Sequence, residues 1–182
     1  MSKEDQKLYF IALVPPEPIF TEVEELKNYF SQHFESSAAL KSPPHITLHM
    51  PFRLKDDKEI LLVEHLEKIS MDGDLQVVID GFGSFPPRVI FLNVEPNEEL
   101  ILLKKKVEKL LRVNLKIFNS DYKGKPFHPH LTLAFRDLKK EQYQIAWKQF
   151  GNEKKQLTWY TRSFFLLKHN GFSWDIHKEF NL

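Results

Sequence analysis

Two short stretches of this 182-residue chain carry the same chemistry. Pro44-His45-Ile46-Thr47-Leu48 returns as Pro129-His130-Leu131-Thr132-Leu133, and each copy is followed shortly by Phe-Arg, at Phe52-Arg53 and Phe135-Arg136. Side chains of an extended strand alternate between faces. The histidine and threonine of each copy therefore share one face, and the aliphatic residues between and after them take the other. Each copy presents an imidazole beside a hydroxyl on an apolar footing. Imidazole titrates near pH 6.5, so one ring of such a pair can be neutral while the other is protonated, as a base and an acid working together require. The hydroxyls stand where they can donate to an oxygen on which charge builds. A single His-x-Thr is common by chance; the doubled pentapeptide is not.

Metal binding is the rival use of the same rings. In a regular strand His45 and His49 would share a face, as would His128 and His130. No carboxylate closely accompanies either pair, and the chain has no cysteine to complete a zinc set, so no metal site is expected. Pro129 puts His128 at the entrance to its strand, and His128 and His49 read as surface or supporting residues. His33, His65, His169 and His177 have no constellation around them.

The elements that must position these residues also repeat. Leu8 to Val14 reads as a buried strand ended by Pro15-Pro16. Ile19, Phe20, Val23, Leu26, Phe30 and Phe34 then recur at helical spacing. The first motif strand follows at about 45–52, then a helix over Ile60 to Ile69 and a strand from Leu75 to Phe82. In the second half Val89 to Val94 is a strand, Leu100 to Leu111 a helix, about 130–136 the second motif strand, about 138–150 a helix, and Gln156 to Tyr160 a further strand. Leu8 to His45 spans 37 positions and Val89 to His130 spans 41, offsets close enough to indicate an internal duplication. Two more strands, about 163–170 and 173–180, form a hairpin turned at Asn170-Gly171. Gly81 to Pro87, dense in glycine and proline, reads as a hairpin or crossover between the halves. One domain is expected over 1–182, with lobe-forming repeats at approximately 7–83 and 88–182. Lys104-Lys105-Lys106 reads as a solvated run on the outer face of its helix.

Composition narrows the partners. Apolar residues at 42% and charged residues at 28% suit a globular domain with a real core. Twenty-six basic against 25 acidic side chains leave no excess for gripping long duplex nucleic acid, which usually needs a basic face. Disulfides and thiolate sites are excluded by the lack of cysteine. The early apolar run is too short for a membrane span, and the mixed-charge leader Ser2 to Lys7 is unlike a signal peptide. A soluble cytoplasmic protein is the expectation, with no membrane association and no obligatory protein partner evident. Neither a Walker A nor a Rossmann glycine pattern is present, and no lysine-centred adenylation motif, so no nucleotide cofactor is expected.

The doubled motif resembles that of the 2H phosphoesterase superfamily, defined by two H-x-[ST] motifs in strands, one per half of a duplicated fold. More narrowly it is similar to the bacterial 2′-5′ RNA ligase and 2′,3′-cyclic phosphodiesterase branch. Phe127-His128-Pro129-His130-Leu131-Thr132-Leu133-Ala134 is close to that branch's second motif, and Leu8-Tyr9-Phe10-Ile11-Ala12-Leu13 reads like its first strand. The resemblance implies a LigT-like α+β architecture: a duplicated two-lobe fold whose antiparallel sheets face each other across a cleft with helices outside. It makes His45, Thr47, His130 and Thr132 the catalytic set. It implies a metal-independent phosphodiesterase acting on 2′,3′-cyclic phosphate ends of nucleotides or RNA, or the reverse, ATP-independent 2′-5′ RNA ligation. A nucleotide or RNA end would then be held locally. Phe127 and Phe10 are candidates for stacking on a base, and Arg53 and Arg136 for reaching a phosphate. A non-catalytic nucleotide-binding module of the same fold, or a metal-dependent hydrolase, are the alternatives. Which histidine is base and which is acid stays open.

Overall fold

The computed structural model describes residues 6–118 and 126–182, so Ser2 to Asp5 of the leader lie outside it, while Gln6 and Lys7 already belong to the first strand. The elements run β1 (Gln6–Leu13), α1 (Ile19–Phe34), β2 (Ile46–Lys55), α2 (Glu59–Leu66) and β3 (Leu75–Phe85). The same order then returns as β4 (Val89–Val94), α3 (Glu98–Leu115), β5 (His130–Ala134), α4 (Lys140–Phe150) and β6 (Gln156–Thr161), and the chain closes with β7 (Ser163–His169) and β8 (Trp174–Asn181). Two 3-10 turns, Ala38–Lys41 and Asp56–Lys58, precede β2 and α2; they are too short to leave a hydrophobic period in the sequence.

The helices form where one face can be buried. Along α1 the buried residues are Ile19, Val23, Lys27, Phe30 and Phe34, and along α3 they are Leu100, Leu103, Val107 and Leu111. Asn97 caps α3, its side chain accepting from the Leu100 N–H at 2.8 Å, and Glu98 and Glu99 sit well at the positive end of the helix dipole. Both helices end on a left-handed residue, Glu35 after α1 and Lys116 after α3, so the duplication reaches their caps.

The strands pair antiparallel in one eight-stranded sheet of order β6-β3-β4-β5-β2-β1-β7-β8. Its centre is the β2–β5 contact, held by the Ile46–Leu131 pair. On one side stand β2, β1, β7 and β8, on the other β5, β4, β3 and β6. These two groups are the lobes of an α+β fold, and they exchange strands. β3 ends the first repeat but pairs with β4, through the hairpin in which Phe85 faces Val89, while β7 from the end of the chain pairs with β1. The short turn forces this: strands joined by so few residues become neighbours. Helices cross over as well, with α1 packing under β5 and α3 under β2. Each motif strand is thus backed by the other repeat's helix. One large buried cluster fills the helix side of the sheet, and a small one, Phe10, Ala12 and Leu167, lies on the opposite face. No helix among the described residues is long and apolar enough to cross a membrane.

Candidate active site

Ile46, Leu48, Leu131 and Leu133 are buried in the main core. Burying each such side chain stabilises the fold by about 1.5–3 kcal/mol, which fixes the strand faces. Alternation then sends Thr47 of β2, with His45 immediately before that strand, and His130 and Thr132 of β5 to the other side. All four line one cavity of about 850 Å3, within the range of small-ligand sites.

The two histidines are held alike. His45 Nδ1 lies 2.7 Å from the Pro43 carbonyl oxygen, and His130 Nδ1 lies 2.7 Å from that of His128. A carbonyl only accepts, so Nδ1 carries the proton in both rings. Nε2 is the atom left for chemistry, a lone pair in the neutral ring and a second N–H in the charged one. Aromatic packing repeats the pattern: the Phe10 centroid is 4.7 Å from that of His45, and the Phe91 centroid 4.8 Å from that of His130. Phe91 fits because Gly83 faces it across the β3–β4 pair; a Cβ there would come within 2.3 Å of the ring.

Charge divides what geometry matches. Burial pushes the His45 imidazole down to about 4; the Pro43 carbonyl opposes this, and the charges of Lys27 and His130 add to it. His130 is also held below the ordinary imidazole value, first by burial, with the His128 carbonyl opposing and the His128 ring adding to the effect.

β2 departs from regular alternation in a way that bears on the metal question. Against β1, Ala12 pairs with Thr47, Ile11 with His49 and Tyr9 with Phe52, so β2 carries an extra residue in each interval. These bulges turn His49 away from His45 and into the core, where it is 2% exposed. Its Nδ1 meets the Met50 carbonyl oxygen at 2.9 Å, and its ring packs edge-on to Phe52. The shared face expected for His45 and His49 therefore does not exist. Among the described residues no group of three or more metal-ligating side chains converges.

The remaining candidates divide. Phe10 and Phe127 line the cavity, and so does His128, whose ring is 6.0 Å from that of His130. Arg136 lines it too, left-handed at φ 61° with its guanidinium 4.9 Å over the Phe135 ring. Arg53 does not reach the cavity: it stays in the long β2 opposite Leu8, exposed. The parallel between the two Phe-Arg pairs ends there because β5 stops at Ala134 and the chain turns. Asp137 takes up that corner, accepting from Ser36 Oγ at 2.8 Å and from the Ser37 and Ala38 N–H groups at 2.9 Å each. The loop entering the first motif is thus tied to the residue leaving the second.

Several wall residues were not legible from sequence. Lys104 is not part of a solvated run: its side chain is 13% exposed, paired with Glu108, and its Nζ sits 5.2 Å over the Phe127 ring at the cavity wall. It flanks the buried stripe of α3 instead of opposing it, a position that helical spacing alone could have suggested. Lys41, Phe85, His169, Phe172 and Trp174 also line the cavity. The last three come from the β7–β8 hairpin, which reaches the site only because β7 pairs with β1.

The family profile described as the 2′-5′ RNA ligase superfamily matches residues 15–171. A protein of Geobacillus sp. (strain WCH70) that carries a phosphoesterase name is 32% identical over 177 residues, covering 94% of each chain. The fold is similar to that of Escherichia coli LigT, solved with 3′-AMP, at 20% identity and a TM-score of 0.71, covering 97% of this chain and 98% of that one. A Thermus thermophilus protein of 21% identity aligns with a TM-score of 0.66 over 97% of both chains.

Proposed function

Because the chain belongs to the 2′-5′ RNA ligase superfamily of 2H phosphoesterases, we propose that it opens 2′,3′-cyclic phosphate ends of nucleotides or RNA, by hydrolysis or by ATP-independent 2′-5′ ligation, with His45 and His130 as an acid–base pair. The observation that supports this most is the matched pair of rings on one cavity, each with Nδ1 tied to a carbonyl and Nε2 left over. In hydrolysis one neutral Nε2 takes the proton of the water that attacks phosphorus. The bond from phosphorus to the ribose 2′ or 3′ oxygen breaks, and that oxygen takes the proton of the other ring. A phosphomonoester and a ribose hydroxyl result. A 5′-hydroxyl in place of water would leave a 2′-5′ phosphodiester, driven by relief of the strained ring. Thr47 and Thr132 donate to the non-bridging oxygens as charge builds, with Arg136 reaching the phosphate and Phe10 and Phe127 offering faces to a base.

The test is turnover of 2′,3′-cyclic AMP, followed by phosphorus NMR in excess EDTA. His45→Ala and His130→Ala should each lose about 10²–10⁴-fold, and the double variant should be little worse than the poorer single one. Wild-type-like turnover in both single variants would reject the acid–base pair. Loss of wild-type activity on chelation would favour a metal-dependent hydrolase.

A further inference from the structure

We propose that Lys27 is a positioning residue that makes the two motif histidines unequal, holding His45 as the neutral base and leaving His130 as the acid; this rests on the two-histidine reading above. Lys27 lies on the buried face of α1 and is 1% exposed. Its Nζ donates to the Ser42 carbonyl at 2.6 Å and pairs with Glu24 at 2.5 Å. Ser42 precedes Pro43, whose carbonyl holds His45 Nδ1 at 2.7 Å. One buried ammonium thus braces the backbone that orients the ring, and its charge adds to the burial that already disfavours a charge on that ring.

Among the described residues no other lysine or arginine is buried, and the charge that acts on His130 is that of the His128 ring. The matching stripe of α3, Leu100, Leu103, Val107 and Leu111, is apolar throughout. A lysine is also a poor choice for stability at such a place. A buried ion pair is often no better than apolar packing of the same volume, and the core under β2 shows that packing is available. The charge is better explained by what it does to the neighbouring ring.

The other ionisable groups around His45 do not duplicate this arrangement. His130 of β5 and His128 just before it line the same cavity, as do Lys41, Arg136 and His169 of the β7–β8 hairpin. Asp137 is engaged by Ser36, Ser37 and Ala38. Lys104, on the wall formed by α3, is paired with Glu108. Lys27 differs from the cavity-wall cations in being buried, with its Nζ on the Ser42 carbonyl just ahead of the first motif.

The experiment is a pH titration of the imidazole Cε1–H signals by NMR, run beside pH–rate profiles with 2′,3′-cyclic AMP. In the wild-type protein His130 should take up its proton at higher pH than His45. Lys27→Met, which keeps length and loses charge, should move the His45 midpoint upward and leave His130 nearly unmoved. The acid limb of kcat/KM should move with it, and turnover at neutral pH should fall by about 10–100-fold as the ring loses its brace. Lys27→Arg, which keeps the charge, should restore the His45 midpoint. Glu24 is partly exposed and can be solvated when its partner is removed, so Lys27→Met is expected to fold. Should it not, the wild-type order of titration still decides: His45 protonating before His130 as pH falls overturns the proposal. An unmoved His45 midpoint in folded Lys27→Met overturns it too, while the His→Ala variants separately judge the two-histidine reading.

Discussion

At the scale of single residues, the proposed chemistry turns on two imidazoles whose surroundings lower both proton affinities. His45 goes down to about 4, and His130 lies below the ordinary imidazole value. The kcat/KM bell of the free enzyme should therefore rise as pH climbs through the His45 value and fall as pH passes that of His130. Its centre should lie on the acid side of about 6.5. A bound phosphate anion favours both protonated rings, so the kcat bell should lie at higher pH than the kcat/KM bell. Stopped-flow or initial-rate profiles check this, and a kcat/KM optimum alkaline of the ordinary imidazole range would contradict it. Thr47→Val and Thr132→Val keep shape and remove one donor each. Turnover should drop by about 10–1,000-fold for each, as for loss of one transition-state donor. Wild-type kinetics in both variants would reassign the hydroxyls to strand packing.

At the scale of elements, the site depends on strand ends and turns. The Asp137 corner joins the exit of β5 to the loop that enters β2, and one donor it satisfies, Ser36 Oγ, belongs to a residue with no exposed surface. Asp137→Ala should destabilise the protein by about 1–3 kcal/mol, the cost of leaving a buried polar group unpaired. It should also lower kcat by freeing one motif from the other. Urea titration measures the first effect and turnover of the same preparation the second; loss of neither would show that the corner is held by other contacts. Gly83→Ala tests the other side of the site. Its Cβ would overlap the Phe91 ring that packs on His130, so activity should fall together with a shift of the His130 imidazole signals.

At the scale of the whole molecule, exchanged strands and crossed helices make the repeats one unit. Separate chains covering 6–85 and 89–182 would each leave motif-strand and helix faces unburied. Neither should show a cooperative melt by circular dichroism alone, whereas their mixture should regain one. The acid response is also global. Glu59 of α2 reaches β1, β7 and β8 by accepting from the Tyr9 hydroxyl, from Lys168 Nζ at 2.5 Å and from His177 Nε2 at 2.6 Å. Burial would raise its carboxyl, but the bonds from Lys168, Tyr9 and His177 outweigh it and hold the group at about 2. A depressed carboxyl contributes stability above its unfolded value of about 4.3, and loses it as pH falls through about 2. His45, lowered from about 6.5 to about 4, makes the unfolded chain the better proton acceptor across that earlier window, so stability declines there too. Acid unfolding should thus show an upper decline from His45 and a lower one from Glu59. Glu59→Gln should flatten the lower decline alone, as thermal melts across pH would report.

The candidate site was legible in the chain because its motif occurs twice. Pro-His-x-Thr-Leu at 45 and 130, with period-2 alternation, was enough to place imidazole and hydroxyl together on one face of each strand, and the structure sets all four side chains on one cavity. Helical stripes on α1 and α3 and the Asn170-Gly171 hairpin were local signals of the same kind. Long-range pairing decided the rest. Which strand lies beside β1 is set by where apolar faces find cover, so the arrival of His169, Phe172 and Trp174 at the site had no local signature. The bulges that bury His49 follow from the β1–β2 register, and the corner that separates Arg136 from Arg53 follows from Asp137 finding donors 99 to 101 positions away. Lys27 reads in sequence as an ordinary charged helix residue. Only the packing of α1 under β5, beside the loop that enters the first motif, makes it a buried cation held on the Ser42 carbonyl, because burial is a property of the assembled sheet and not of the helix that carries the side chain.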